Sequence, residues 1–157
     1  MSGDYSYWIL KNLKDHINTP HCLIQQWDSA VIDVSRWDDK YLEYDYIGAP
    51  WEISGDHKVG NGGFSLRSKR FLEESAKVAS LLPQGKFIYG NEDYFVCVTG
   101  RQYLESKDIK FAPIEVARQF SVERPISSDP HDYNDLSTYR SFGFHGAFCT
   151  AAMELIK

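Results

Sequence analysis

Asp28 and His145 are the residues whose types and surroundings best suit a bound metal ion. Asp28 follows the apolar run HCLIQQW at 21–27, which is typical of a buried strand running to a sheet edge. A carboxylate beyond the carboxyl end of a strand can hold a hard cation, although aspartate also caps turns. His145 lies among glycines and aromatic residues in FGFHG. It could complete a shell of nitrogen and oxygen ligands with Asp28, or it could be an ordinary core histidine.

The acidic pair Glu92 and Asp93 stands at the start of a helix that the sequence predicts from 91 to about 106. One carboxylate of such a pair could act as a general base towards an acceptor hydroxyl while the other holds the acceptor. The simpler alternative is that acids in a first helical turn interact favourably with the helix dipole. Residue type alone leaves both interpretations open.

The segment Gly60-Asn61-Gly62-Gly63 is the third candidate for a binding function. Consecutive glycines allow a backbone to approach a ligand that any side chain would block. The segment is not a Walker loop, because the pattern GxxxxGK[ST] is absent. A tight hairpin explains the glycines equally well.

The elements that would position these residues alternate between helices and strands. In the helical pattern over 68–82, Ser68 stands where an N-cap is expected and Pro83 follows the last apolar position. Apolar spacing predicts helices over 5–17, 68–82, 91–106 and 115–120, and short apolar runs predict strands over 21–26 and 109–112. The alternation predicts one α/β domain over 1–157.

Composition narrows the class of protein. The chain has 157 residues with 17 basic and 22 acidic side chains, a net charge of −5, which disfavours general nucleic-acid binding. No stretch has the length and apolar character of a membrane span. Three cysteines without a CxxC pattern predict a reducing, cytoplasmic location. Aromatic residues make up 15% of the chain, and Tyr and Trp can serve as flat platforms for sugars.

Five motifs follow one another along the chain: LIQQWDSAVI, YDYIGAPW, VGNGGFSLRSKRF, GNEDYFVC and FGFHG. In this order they resemble a mostly microbial family of glycosyltransferase-like proteins with a GT-A-type fold, from about Tyr5 to Gly146. More distantly, they are similar to the inverting, metal-dependent galactosyltransferases. The resemblance implies a GT-A-like mixed sheet with flanking helices.

The resemblance also implies roles for particular residues. Asp28 and His145 would bind a divalent metal ion, Mn²⁺ or Mg²⁺, Asp93 would be the catalytic base, and Glu92 would hold the acceptor. Residues implied to contact the donor or acceptor are Gln26, Trp27, Trp51, Asn61, Gly62 and Gly63. Gln26 stands where the first acid of the related metal motif is expected, and a neutral amide adds no charge to a cation site.

The implied function is transfer of a sugar, with inversion, from a nucleotide-sugar donor to a hydroxyl of a carbohydrate acceptor. The alternative is a catalytically inactive carbohydrate-binding or interaction module derived from the same fold. Only 27 residues precede Asp28, so the resemblance covers the C-terminal, acceptor and metal-site part of a GT-A fold. We therefore expect the strand at 21–26 to lack a neighbour on one side. A helix at 5–17 or a second copy of the chain, in a homodimer, would cover that side.

A metal-dependent hydrolase is a third interpretation. It has in its favour only the acids Asp28, Glu92 and Asp93 together with His145. The chain carries no HExxH pattern or comparable hydrolase motif.

Overall fold

The computed structural model describes residues 2–52, 59–80, 91–124, 126 and 132–156. The strands are β1 His21–Gln25, β2 Ser29–Val31, β3 Tyr46–Ile47, β4 Phe64–Ser68, β5 Ser121–Val122 and β6 Gly143–His145. The α-helices are α1 Ser2–Lys11, α2 Leu13–His16, α3 Lys69–Ser80, α4 Glu92–Tyr94, α5 Arg101–Glu105, α6 Ile114–Phe120 and α7 Thr150–Met153. Short 3₁₀ turns span Val34–Arg36, Asp39–Glu43, Leu136–Thr138 and Glu154–Ile156, and a π-helical turn spans Phe95–Thr99.

The strands form two small sheets, so the fold is mixed α/β with small sheets and flanking helices. The first sheet has the order β1-β4-β3 and is antiparallel throughout. The second has the order β2-β6-β5, in which β6 runs antiparallel to β2 and parallel to β5. The resemblance implied a GT-A-like mixed sheet, whereas the described residues form two sheets, of which only the second is mixed. The division arises at residues 26–28, where the chain leaves β1, turns and enters the second sheet as β2.

Helix α3 confirms the prediction made from its cap and apolar stripe. The Ser68 hydroxyl accepts a hydrogen bond from the Phe71 N–H at 2.9 Å, and Phe71, Leu72, Ala76 and Ala79 are buried. Residues 81–82 of the predicted helix lie outside the described residues. Helix α6 matches the prediction over 115–120 to within one residue.

Three other predicted elements differ from the structure. The helix predicted over 5–17 is interrupted at Asn12. The helix predicted over 91–106 consists of α4, the π-helical turn and α5, because the Gly100 N–H donates to the Phe95 carbonyl at 2.7 Å, one residue beyond the α-helical partner. In place of a strand over 109–112, Phe111 forms a single parallel bridge with Tyr46.

Strand β1 is an edge strand among the described residues, where it pairs only with β4. Ile9, Leu10 and Leu13 of the first two helices belong to the same core cluster against which Cys22 and Ile24 pack. The N-terminal helices therefore add apolar cover on the side of Cys22 and Ile24, as one of the two expected arrangements requires. Leu23, which alternates with these residues, remains 39% exposed.

The core around the first sheet and the aromatic cluster beside it hold the two sheets together. All five residues of β4 are buried. Phe64 of β4 packs against Phe120 and Phe142 with ring centroids 5.3 and 6.0 Å apart. Within the described part of the chain, no helix combines the length and the hydropathy needed to cross a bilayer.

Candidate functional site

Backbone pairing in the second sheet brings Asp28 and His145 together. Ser29, the first residue of β2, pairs with His145, the last residue of β6. The Gly146 N–H extends this ladder by donating to the Asp28 carbonyl at 2.8 Å. The turn at 26–28 is held by the Ser29 hydroxyl, which donates to the carbonyls of Gln26 and Gly63. The site therefore lies where the chain passes from one sheet to the other.

One nitrogen of the imidazole ring and two side-chain oxygens form a group of three potential metal-ligand atoms. His145 Nε2 lies 3.3 Å from Asp28 Oδ1 and 3.2 Å from Gln26 Oε1. Adjacent ligands around an octahedral Mg²⁺ or a similar ion lie about 3 Å apart, so these separations fit one coordination shell. Asp28 Oδ1 is buried and accepts no hydrogen bond from any described residue. The donor set, one imidazole and two oxygens, suits a hard or intermediate divalent ion.

The third potential ligand atom, the amide oxygen of Gln26, carries no charge. Among the residues that the structure describes, no group of three or more His, Cys, Asp or Glu side chains could hold a metal ion. Gln26 supplies the missing oxygen from an amide instead. Its side chain also hydrogen-bonds to Tyr5 of α1, a residue that the sequence did not single out as part of the site.

The other nitrogen of His145 faces a different set of partners. Nδ1 lies 2.9 Å from Asn61 Nδ2 and 3.7 Å from Glu123 Oε1. Burial alone would lower the pKa of His145, but the nearby carboxylates of Glu123 and Asp28 outweigh it and raise this pKa above its usual value. Burial would likewise raise the pKa of Glu123, but its contacts with His145 and Arg124 lower it overall. Asn61 Nδ2 is thus the nearest partner of Nδ1, and the Glu123 carboxylate lies beyond hydrogen-bond distance as an ion-pair partner on the same side of the ring.

Asp93 is fixed by two backbone hydrogen bonds. Its Oδ2 accepts from the Gly62 N–H at 2.8 Å, and its Oδ1 accepts from its neighbour, the Tyr94 N–H, at 2.7 Å. Burial and the adjacent charge of Glu92 raise the pKa of Asp93, against the lowering effect of these bonds. A raised pKa makes this carboxylate a stronger base than an ordinary aspartate.

Glu92 forms a buried ion pair with Arg67. Arg67 Nη2 lies 2.9 Å from Glu92 Oε1, and the two side chains are 0% and 3% exposed. The same nitrogen donates to the Gly62 carbonyl at 3.3 Å, and Arg67 Nε donates to the Ser65 hydroxyl at 2.9 Å. One oxygen of Glu92 is therefore bonded to the protein itself, which leaves at most the other for an acceptor.

The glycines of the 60–63 segment make room for side chains of the site. A Cβ on Gly62 would overlap with the carboxylate of Glu92, and a Cβ on Gly63 would overlap with the ring of His145. Asn61 has a positive φ of 46°, and its Oδ1 accepts from the Phe64 N–H at 3.3 Å, as in a tight turn. The segment is therefore a turn that leads into β4, whose strand partners are β1 and β3, and of the two glycines Gly63 also lines the adjacent cavity.

Most of the predicted site residues border one cavity of about 630 Å³. Its lining includes Tyr5, Gln26, Trp27, Asn61, Gly63, Glu92, Asp93, Glu123 and His145. Trp27 is 84% exposed at its rim. Trp51 instead lines a neighbouring cavity of about 310 Å³, where its indole N–H donates to Glu123 Oε2 at 3.1 Å. Asp28 and Gly62 lie behind the lining, in contact with His145 and Asp93 respectively.

Arg67 and Glu123 are the residues whose importance the sequence did not reveal. Arg67 was visible only as the last residue of GGFSLR, and nothing in the sequence indicates that its guanidinium is fully buried. Glu123 follows the two-residue strand β5, and its position beside His145 depends on the parallel pairing of β5 with β6. The alternation of polar and apolar residues over 119–122, followed by an acid, was the one local signal for it.

Residues 4–145 match the model of a family described as a protein of unknown function, DUF5672, and the chain belongs to this family. The matched range contains every candidate residue described above, including Asp28 near one end and His145 at the other. No curated protein and no solved structure matches the chain.

Proposed function

We propose that this chain is a glycosyltransferase with a GT-A-like fold. It would move a sugar, with inversion, from a nucleotide-sugar donor to a hydroxyl of a carbohydrate acceptor. The observation that supports this most strongly is the convergence of two groups of residues on one cavity. Gln26 and His145 border it with Asp28 directly behind, and Asp93 borders it from another part of the chain.

The residues present fit a divalent ion, Mn²⁺ or Mg²⁺. Asp28 and His145 would hold it, with the amide oxygen of Gln26 as a neutral third ligand, and phosphate oxygens and waters would complete the shell. When bound, such an ion neutralises the charge that develops on a diphosphate leaving group. Glu123 faces the opposite ring nitrogen and would orient the imidazole without entering the shell.

Asp93 is the catalytic base in this proposal. Its carboxylate takes the proton from the acceptor hydroxyl, and the acceptor oxygen forms a bond to the anomeric carbon of the donor. The bond between that carbon and the diphosphate oxygen breaks, and the diphosphate leaves with the electron pair. The two backbone bonds to Asp93 hold it in place without a change of conformation during the reaction.

A cytoplasmic location is part of the proposal. Cys22 and Cys97 are free thiols, which is the state that a reducing compartment maintains.

A carbohydrate-binding module without catalysis is the second candidate, and one observation favours it. The indole of Trp27 is largely exposed at the rim of the cavity, as a platform for a sugar ring would be. Such a module would use the same aromatic surface without needing the acid Asp93.

Thermal unfolding with nucleoside diphosphates tests these two candidates. For a transferase we expect UDP or GDP to raise Tm only with Mn²⁺, because a ligand that binds the native state stabilises it. Asp28→Asn should abolish this shift, and Asp108→Asn, at an acid that is 94% exposed, should preserve it. Asp93→Asn should keep the shift but slow sugar transfer by roughly 10²–10⁴. Stabilisation by free sugars, with none by any nucleotide and Mn²⁺, would contradict the transferase and support the binding module.

A further inference from the structure

We propose that the smaller cavity beside Trp51 is the acceptor subsite, and that it accepts uncharged or amine-bearing saccharides and excludes anionic ones. This inference rests on the proposed function, because it supplies the acceptor from which Asp93 removes a proton.

The position of the cavity is the first reason. It has a volume of about 310 Å³ and shares Asn91, Asp93 and Glu123 with the larger cavity, so Asp93 borders both. A general base for transfer between two substrates must reach the acceptor hydroxyl while the donor lies on the other side of the base. The larger cavity is lined by Gln26 and His145, two of the three potential metal ligands, and is the donor side. The smaller cavity is then left for the acceptor. Glu92 borders only the larger cavity, so in this arrangement it does not hold the acceptor.

The aromatic lining is the second reason. Trp51 and Tyr94 both face this cavity. The bond from the Trp51 indole to Glu123 at 3.1 Å fixes the plane of the ring, and Tyr94 remains 46% exposed. Flat, fixed aromatic faces bind the apolar C–H faces of sugars, and nearby carboxylates accept hydrogen bonds from sugar hydroxyls.

Charge selects among saccharides. The described lining contains the acids Glu52, Asp93 and Glu123 and one base, Arg124, for a formal charge of −2. Arg124 Nη2 lies 3.3 Å from Glu123 Oε1, and its guanidinium lies 5.7 Å from the ring centroid of Phe148. Arg124 is thus paired with Glu123, and the formal charge of −2 already includes this pair. A carboxylate or phosphate on the acceptor would be repelled here, whereas an ammonium group would be attracted to the acids and to the indole face.

The indole ¹H–¹⁵N signals of Trp51 and Trp27 report which cavity a sugar enters. We would titrate the full chain, without metal or nucleotide, with methyl glucoside, methyl glucosaminide and methyl glucuronide. Trp51→Phe and Trp27→Phe assign the two signals. The first two sugars should shift the Trp51 signal, and the glucuronide should bind at least about tenfold more weakly than the glucosaminide. Equal or tighter binding of the glucuronide, or shifts of Trp27 alone, would overturn the proposal.

A charge-reversal variant checks the electrostatic reason directly. Glu52→Lys should raise the affinity for the glucuronide and lower that for the glucosaminide. Glu43→Lys makes the same change at an exposed acid outside both cavities and should alter neither. If both variants behave alike, charge does not select the sugar and the inference is wrong.

The outcome also separates this inference from the proposed function. Binding of nucleotide with Mn²⁺, without any sugar effect on Trp51, would refute the subsite and leave the transferase intact. Sugar binding at Trp51 in a chain that binds no nucleotide would refute the transferase and, with it, the acceptor role of this cavity.

Discussion

At the scale of single residues, the site depends on the two nitrogens of His145. Nε2 faces Gln26 and Asp28, whereas Nδ1 faces Asn61 and Glu123. In the proposed metal site, a proton and a cation would therefore compete for Nε2. The raised pKa of His145 determines the pH below which the proton would displace the cation.

We expect Mn²⁺ affinity to fall as the pH decreases through the raised pKa of His145. Metal binding requires the neutral ring, so below that pKa the affinity should drop about tenfold per pH unit. Calorimetric titration with Mn²⁺ between pH 8 and 5.5 measures this. His145→Gln should weaken binding and flatten its dependence on pH over this range. Equal affinity of the wild type at both ends would exclude His145 as a ligand.

Without metal, the raised pKa of His145 makes the fold more stable at low pH, whereas it makes Mn²⁺ affinity lower there. A histidine with a raised pKa in the folded state stabilises the fold fully below its unfolded pKa of about 6.5. That contribution is lost as the pH rises through the folded pKa. Urea unfolding in the presence of a chelator should therefore show wild type losing stability relative to His145→Gln as the pH rises from 5.5 to 8.

Gly63→Ala should disrupt the proposed metal site through steric overlap. Its new Cβ would occupy the space of the His145 ring, so the imidazole must move. Overpacking of this kind costs about 1–3 kcal/mol of stability, and we expect a marked loss of Mn²⁺ affinity. Gly100→Ala is the control, since its Cβ would lie 3.3 Å from the nearest atoms, Phe95 O and Val78 Cγ1, outside the site. Unchanged Mn²⁺ binding by Gly63→Ala would mean that the His145 ring lies elsewhere.

At the scale of elements, the sequence predicted what is determined locally. Helix α3 followed from its cap and its apolar stripe, both of which lie within the helix or next to it. The division into two sheets could not be predicted in this way, because β6 pairs with β2 and β5, which are far from it in the chain. Asp28 and His145 were singled out by residue type and motif. Glu123 was missed because it reaches the site only through the non-local pairing of β5 with β6.

The ion pair between β4 and α4 should show strong coupling. Arg67→Met or Glu92→Leu alone leaves a buried charge without its partner and should cost about 3–5 kcal/mol. The double variant should be much closer to wild type than the sum of the two, because no charge is then left unpaired. Urea unfolding of all four proteins measures the coupling.

The exposed pair of Arg70 and Asp108, 4.0 Å apart, serves as the reference for this cycle. Arg70→Met should leave the free energy of unfolding nearly unchanged, since such pairs are well solvated. Additive costs for Arg67→Met and Glu92→Leu would show that the buried pair is not a coupled unit.

At the scale of the whole molecule, the open edge of β1 is the main unsatisfied surface among the described residues. The Gln26 N–H donates to the Gly63 carbonyl at 2.9 Å, and in an antiparallel ladder the bonded residues alternate. Leu23 and Gln25 therefore direct their backbone groups away from β4. Such an edge can pair with the same edge of a second copy about a two-fold axis.

We expect a dimer whose population rises with protein concentration, measured by sedimentation across a dilution series. Leu23→Lys should shift the equilibrium towards monomer, because a lysine on an edge strand opposes pairing. Leu42→Lys, at another exposed leucine outside the sheets, should not. A wild-type chain that stays monomeric at every concentration would show that this edge does not self-associate.

Trp27 gives the molecule an optical signal of its own. Its indole is 84% exposed and next in the chain to both Gln26 and Asp28. Among the four tryptophans it is the most exposed, so its fluorescence should lie at the long-wavelength edge of the emission spectrum. A sugar or nucleotide that covers it would shift this emission to shorter wavelength. Occupancy of the larger cavity can then be followed by steady-state fluorescence, without a label.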